Sequence, residues 1–239
     1  SATGSTYAGA TFDGLAIGWR ATAANSGNVM DISAITVDGS VSVITTPPTI
    51  DQEPVDATVA VGGSVPFTVA ATGVNVTYQW YRNGAILANG GNISGATSST
   101  LIVSNASNAD AFSGVNGYFC VVTGQGNFSV ATTTNSLTVV PARNLIWSGA
   151  GTVWDVNNSP SWNDGANPAT FNYGDSVTFD DTGAGNPLVT LSGKYLSASN
   201  WLITGSTAYA FGGSGSFAGP GSLIFNSAAA GSIQLNVAN

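Results

Sequence analysis

Tyr-Gln-Trp-Tyr-Arg-Asn-Gly at residues 78–84 and Gly-Tyr-Phe-Cys-Val-Val at residues 117–122 decide the fold of the central part of the chain. The first stretch ends in Asn83-Gly84, the strongest short signal for a two-residue hairpin turn. The second stretch alternates, so Tyr118 and Cys120 are predicted to face one buried side of a strand. Working outward from these stretches, we expect a β sandwich in the middle of the chain.

The composition extends the β prediction to the whole chain. The 239 residues are 43% hydrophobic and only 7% charged, and they include 31 glycines. The apolar runs have the length of strands, and none forms an amphipathic helix. The sequence therefore predicts an all-β fold.

The charge balance excludes several classes of function. Four basic and twelve acidic residues give a net charge of −8, which repels nucleic-acid phosphates and anionic lipid heads. Histidine is absent, which removes the commonest general base and metal ligand. We therefore expect no enzyme, no catalytic or cofactor-binding residue, no nucleic-acid partner and no membrane insertion. The Ser-, Thr-, Asn- and Gly-rich composition favours an extracellular location.

Strand-breaking residues and changes in sequence pattern divide the chain into three segments, 1–46, 47–141 and 142–239. Pro47-Pro48 interrupts any strand ladder and marks the first boundary. The first segment contains two predicted strands, 12–22 and 28–39, and a third short run, 41–44. Two or three strands are marginal alone, so this segment is predicted to be incomplete or to donate strands.

The central segment resembles the immunoglobulin-like domain of bacterial secreted and surface proteins. The resemblance places Trp80 on strand C, Tyr118 at the tyrosine corner and Cys120 at the second core cysteine. Val69 or Phe67 stands where the first core cysteine is expected. The resemblance thus implies a core of Val69, Trp80, Tyr118 and Cys120 without a disulfide.

The first segment resembles the closing strands of lectin-like jelly-roll domains in large bacterial surface proteins. The phrases Phe-Asp-Gly-Leu-Ala-Ile-Gly-Trp-Arg-Ala-Thr (12–22) and Asn-Val-Met-Asp-Ile-Ser-Ala-Ile-Thr-Val-Asp-Gly (28–39) carry this resemblance. It implies that the remaining strands of the sandwich come from other sequence.

Apolar triplets recur through the third segment at intervals typical of stacked strands in a β-solenoid. They are Val177-Thr178-Phe179, Val189-Thr190-Leu191, Trp201-Leu202-Ile203, Tyr209-Ala210-Phe211, Leu223-Ile224-Phe225 and Ile233-Gln234-Leu235. The phrases Trp-Ser-Gly-x-Gly, Trp-Asn-Asp-Gly and Gly-Asp-Ser-Val-Thr-Phe-Asp-Asp-Thr-Gly-Ala-Gly are similar to the autotransporter-associated β-strand repeats of bacterial passenger domains. The resemblance implies a short solenoid with an open last strand.

Two sets of residues in the third segment have alternative interpretations. Asp175, Asp180 and Asp181 are either turn residues, which we favour, or ligands of a calcium ion. The aromatic residues either pack the solenoid core, which we favour, or stack on sugar rings. The aromatic set is Trp147, Trp154 and Trp162, with Tyr173 and Trp201.

The leading functional hypothesis is a non-enzymatic extracellular structural protein at the bacterial cell surface: a stalk, adhesin piece or filament subunit. Its partners are copies of itself or adjoining surface-protein segments, joined by β-strand addition at the chain ends. The candidate interface residues are Phe12, Leu15, Ile17 and Trp19 at one end and Ile233, Leu235 and Val237 at the other. The alternative is a carbohydrate-binding module of a secreted bacterial enzyme or adhesin, with glycans as partners.

Overall fold

The computed structural model of the protein describes residues 46–219, 221–227 and 234–237. The chain divides into two units, Ser1–Ser42 and Val43–Asn239, so the predicted second and third segments belong to one unit. The strands predicted over 12–22, 28–39 and 41–44 lie outside the described residues.

The prediction of an all-β chain is confirmed. Helical structure in the described residues consists of four short 3-10 turns, Asn108–Asp110, Gly114–Asn116, Gln125–Asn127 and Asp181–Gly185. None of these turns has the length or apolarity that a membrane-crossing helix needs.

Eleven strands form the sandwich in the middle of the chain. They are β1 Thr49–Gln52, β2 Ala57–Ala60, β3 Val65–Thr68, β4 Ala70–Thr72, β5 Thr77–Arg82, β6 Ala85–Ile86, β7 Ile93–Ser94, β8 Thr100–Val103, β9 Tyr118–Thr123, β10 Ser129–Ala131 and β11 Leu137–Val140. One sheet has the order β10-β9-β5-β6, another β3-β8-β7, and β1-β4 and β11-β2 pair at the margins. The β11-β2 pair is parallel, whereas the other pairs of the sandwich are antiparallel.

Local sequence explains the two strands at the centre of the sandwich. Asn83 and Gly84 both have positive φ, 51° and 68°, which a two-residue turn between β5 and β6 requires. Along β9 the burial alternates from Tyr118 to Thr123, as a strand with one buried face requires. Trp80 on β5 lies opposite Cys120 on β9, so both residues of the sequence motif meet in one cross-strand pair.

Ten further strands form a coil over residues 144–237, here called the coil. They are β12 Asn144–Trp147, β13 Val153–Trp154, β14 Trp162–Asp164, β15 Asn167–Ala169, β16 Ser176–Phe179, β17 Leu188–Leu191, β18 Asn200–Gly205, β19 Ala210–Gly213, β20 Ser222–Ser227 and β21 Gln234–Val237. They form two sheets, ordered β15-β14-β12-β16-β18-β20 and β13-β17-β19-β21. One strand of each sheet forms a rung, and the rungs are β12/β13, β16/β17, β18/β19 and β20/β21. Both strands of a rung pair in parallel with those of the next rung.

Apolar residues of successive rungs lie in register and close the interior of the coil. Val177 lies opposite Trp201, and Trp201 lies opposite Leu223. The predicted triplets fall on β16 to β21, although β19 begins at Ala210 and β21 at Gln234, one residue later than their triplets. The register therefore places like residues above one another, as stacked rungs require.

The two ends of the coil differ. At the first rung, β14 pairs antiparallel with β12, and β15 extends this hairpin to the margin of the sheet. At the last rung, β20 and β21 are the edge strands of their two sheets. Within the described residues, the hairpin therefore covers β12 at the first rung, whereas β13 in that rung and both strands of the last rung are sheet edges.

Candidate functional site

The four residues predicted to form the sandwich core lie in one buried cluster. Val69, Trp80, Tyr118 and Cys120 are each at most 1% exposed. The ring of Phe67, the other candidate for the first cysteine position, stacks on Tyr118 with 4.9 Å between centroids. Burial raises the pKa of the free Cys120 thiol to about 11. Apolar packing therefore occupies the place that a disulfide fills in the resembled domain.

Tyr118 joins this core to a buried ionic contact. Its hydroxyl donates a hydrogen bond to the backbone oxygen of Asp110 at 2.9 Å, the contact expected of a tyrosine corner. Arg82 Nη1 lies 2.9 Å from Asp110 Oδ1. Burial opposes ionisation of Asp110, but hydrogen bonds from Asn92 and Ser107 and the Arg82 charge together hold its pKa below the ordinary value.

The sugar-stacking interpretation of the coil tryptophans is wrong for Trp147, Trp154 and Trp162. Trp147, Trp154 and Trp162 have no exposed surface, and a ring without exposed surface cannot stack on a sugar. They pack edge to face instead, with centroids 5.0 Å apart for Trp147 and Trp162 and 5.2 Å apart for Trp154 and Trp162. Trp201 is 8% exposed and belongs to the same cluster, whereas Tyr173 packs against the sandwich core.

The three aspartates proposed as calcium ligands act separately. Asp175 has no exposed side-chain surface, and its carboxylate pairs with Arg143 at 2.6 Å and accepts the backbone N–H of Asn172 at 2.9 Å. Asp180 accepts the backbone N–H of Thr182. In the described part of the chain no three acidic or cysteine side chains group as a metal site would need. Protein donors thus occupy these carboxylates in the way the turn interpretation predicts.

Asp181 links two successive rungs of the coil. Its carboxylate accepts hydrogen bonds from the backbone N–H and hydroxyl groups of Ser206 and Thr207, at 2.8 to 3.1 Å. The hydroxyl of Thr207, followed by the backbone N–H groups of Ser206 and Thr207, holds the Asp181 pKa below its ordinary value. The turn after β16 is therefore fastened to the turn after β18.

The open end of the coil exposes an apolar edge strand. Leu223, Ile224 and Phe225 on β20 are 45%, 50% and 46% exposed. Of the interface residues predicted from sequence, Leu235 and Val237 lie on β21, next to this strand in the last rung. Ile233, Phe12, Leu15, Ile17 and Trp19 lie outside the described residues.

No sequence pattern predicts the tight junction between the sandwich and the coil. Val59 on β2 forms a parallel bridge with Tyr173, and the Ala60 N–H donates to the Tyr173 oxygen at 2.7 Å. A Cβ atom built on Gly63 would lie 2.7 Å from the Cα of Gly174. Only glycine permits this approach of two backbones, so the junction is a backbone-to-backbone contact.

A side-chain hydrogen bond extends the junction. The Ser197 hydroxyl of the coil donates to the backbone oxygen of Ser64 in the sandwich at 2.8 Å. Arg143, in the connection between the two parts, donates to Thr170 and Asp175. Gly63 could have been noticed in the sequence only as a turn residue beside Gly62, because its partner lies far along the chain.

Residues 48–139 match the immunoglobulin I-set domain family. An I-band fragment of titin is 23% identical, with 44% of this chain and 40% of that chain covered and a TM-score of 0.34. The N-terminal two-domain module of the Drosophila receptor protein tyrosine phosphatase DLAR is 24% identical, with 42% and 55% covered and a TM-score of 0.35. This chain thus spans about two fifths of the titin fragment. No curated protein sequence matches it.

Proposed function

We propose, from the premise that residues 48–139 form an immunoglobulin I-set domain, that this chain is a non-enzymatic structural or adhesion module working outside the cell. The charge-poor composition, 7% charged residues, supports an extracellular place. The resemblance of the coil to autotransporter-associated repeats adds a bacterial cell surface to this proposal. The molecule would serve there as a stalk, an adhesin piece or a filament subunit.

The exposed strand β20 is the observation that carries this proposal. Natural edge strands are commonly protected by charge, proline or a covering loop, because their free N–H and C=O groups recruit other strands. The Ser222–Ser227 sequence has no charged residue and no proline, and its three central side chains are about half exposed. This edge suits a strand added in line with the rungs.

The proposed occupant is the 1–46 segment of another copy. Phe12, Leu15, Ile17 and Trp19 give that segment the apolar residues that the edge needs. The first rung is a poorer alternative because the β14–β15 hairpin already covers β12, and the remaining edge strand, β13, has only two residues. Addition of the 1–46 segment of one copy to the β20 edge of the next would therefore join copies in series.

Ile224→Lys tests the proposal, because a charge on the exposed edge disfavours strand addition without entering the buried core. We expect the full chain to form larger assemblies as its concentration rises, and Ile224→Lys to stay monomeric, as measured by sedimentation velocity. Val115→Lys is the matched control, since Val115 is 88% exposed away from the coil edge.

Removal of residues 1–42 identifies the occupant. If the 1–46 segment is the donor, the shortened chain stays monomeric and an excess of it caps growing assemblies. Assembly that persists in the shortened chain would contradict the 1–46 segment as the donor and would mean that the open coil ends of two copies pair with each other. A full chain that is monomeric at every concentration contradicts assembly altogether.

A further inference from the structure

A pocket of about 280 Å³ lies where the sandwich meets the coil. The sandwich contributes Ser64, Pro66 and Ile102 to its lining, and the coil contributes Tyr195 and Ser197. Both walls are held in place by the Ser197–Ser64 hydrogen bond and by the Gly63–Gly174 contact. The pocket is therefore preformed, as small-molecule sites usually are.

The buried wall of this pocket carries an unsatisfied hydroxyl. Ser64 is 6% exposed, and its Oγ has no hydrogen-bond partner among the described residues. A buried hydroxyl without a partner costs about 1–3 kcal/mol. Because Ser64 lines the pocket, a rotation about its χ1 torsion would turn this hydroxyl towards a ligand, which would supply the missing partner.

Tyr195 is the second unusual lining residue. Its φ is 64°, in the left-handed region that a bulky non-glycine residue rarely adopts. The backbone N–H of Tyr195 donates to the hydroxyl of Ser216 at 3.3 Å, and the side chain is half-buried at the pocket. Such backbone strain concentrates at ligand-binding positions, where the aim of the side chain matters.

We propose that this junction pocket binds one ring of a neutral saccharide. An aromatic ring at Tyr195 and apolar surface at Pro66 and Ile102 suit the C–H face of a sugar, and serine hydroxyls suit its hydroxyl groups. Those hydroxyls belong to Ser64, Ser94, Ser104 and Ser197. None of the described lining residues is charged, and the net charge of −8 disfavours an acidic sugar. The volume accommodates a single ring.

The test is a titration of the full chain with D-glucose, D-galactose, N-acetyl-D-glucosamine and the anionic D-glucuronate, followed by amide chemical shifts in NMR spectra. We expect at least one neutral sugar to give saturable shifts at Ser64, Tyr195 and Ser197, and glucuronate to bind about tenfold more weakly or not at all. Absence of saturable shifts with all three neutral sugars overturns the inference, and so does equal binding of glucuronate.

Variants separate binding from folding. Ser64→Ala removes the unsatisfied hydroxyl, so sugar affinity should fall about tenfold while the melting temperature stays equal or rises. Tyr195→Asn keeps a residue that tolerates positive φ but removes the ring, and Tyr195→Phe keeps the ring. Binding should be lost in the first and kept in the second. Ser214→Ala, at an exposed serine outside the lining, is the matched control. Unchanged binding in Ser64→Ala and Tyr195→Asn contradicts the site.

Discussion

At the residue scale, Cys120 illustrates how the sandwich holds together without a disulfide. The thiol is fully buried in the cluster that contains Phe67, Trp80 and Tyr118. Because it has no exposed surface, the folded domain keeps it from bridging to another chain through this position.

The Cys120 thiol is predicted to be nearly unreactive in the folded protein. A pKa of about 11 leaves about a thousandth of the thiol ionised at pH 8, against about a quarter for an ordinary cysteine. Labelling by a disulfide reagent at pH 8 should therefore be at least about a hundredfold slower than in denaturant. The unfolded chain is the internal control, and equal rates in both states would show that the thiol is accessible.

Sequence patterns were informative about the core residues of the sandwich and less so about the tryptophans of the coil. Tyr118 and Cys120 stand at a spacing that local strand periodicity explains, whereas the place of Trp80 is what the resemblance to an immunoglobulin-like domain implies. The tryptophans of the coil could be read as core or as sugar platform, since an aromatic side chain suits both environments. Whether a tryptophan of the coil is buried or exposed depends on its neighbours in other rungs, and the local sequence pattern does not contain them.

At the element scale, the Asp110 carboxylate ties together parts of the sandwich that are distant in sequence. It lies in a 3-10 turn, pairs with Arg82 at the end of β5, and its backbone oxygen holds Tyr118 at the start of β9. The Arg82 guanidinium also lies 5.1 Å from the centre of the Phe112 ring. This contact fixes the corner at which the chain enters β9.

The stability contributed by Asp110 is predicted to depend on pH. Its folded pKa is lowered, so the contribution is complete above the ordinary aspartate pKa of about 3.9 and is lost as the pH falls through that value towards the folded pKa. Asp110→Asn should reduce the free energy of unfolding by about 1–3 kcal/mol at pH 7, and the difference from the unchanged protein should shrink below pH 4. Urea denaturation across this range measures both quantities.

Asp164→Asn, at an exposed carboxylate on β14, serves as the control. As a surface substitution, it should change the free energy of unfolding at pH 7 by no more than about 0.5 kcal/mol. A difference between Asp110→Asn and the unchanged protein that stays constant between pH 7 and pH 3 would show that the charge of Asp110 is not the cause.

Sequence patterns located strands well and hairpins unevenly. The Asn83-Gly84 turn is local, and its two positive φ values follow from the residues themselves. The hairpin β14–β15 also turns at a residue with positive φ, Gly165, yet its role depends on which strand it covers. That role follows from the three-dimensional order of the sheet and from nothing nearby in the sequence.

At the scale of the whole molecule, the junction makes the sandwich and the coil one unit rather than two domains on a linker. The contact joins the β2–β3 turn to the loop before β16, through Gly63, Gly174 and the Val59–Tyr173 bridge. The prediction of the segments 47–141 and 142–239 rests on the Pro47-Pro48 pair, on strand periodicity and on the resemblance of each segment to a known kind of domain. The contact between these segments depends on Gly63 and Gly174, which are far apart in sequence, and a single sequence does not reveal that they meet.

Gly63→Ala is predicted to loosen this union. The new methyl group would lie 2.7 Å from Gly174 Cα and 2.9 Å from Val59 Cγ2, so the backbones must separate, at a cost of about 1–3 kcal/mol. Calorimetry should show one unfolding transition for the unchanged protein and two for Gly63→Ala. Gly185→Ala, where the nearest atom is 3.5 Å away, should keep the single transition. One unchanged transition in Gly63→Ala would mean that the junction tolerates the separation.

The β14–β15 hairpin gives the coil polarity. Among the described residues β20 and β21 are both sheet edges, whereas β12 is already paired with β14 on its outer side and only the two-residue β13 is an edge in the first rung. If copies join as proposed, a fibre would consequently carry an intrinsic arrow, with a free β20 edge at one tip and a free 1–46 segment at the other. Copies that lack residues 1–42 should add only at the tip with the free 1–46 segment, and Ile224→Lys copies only at the tip with the free β20 edge.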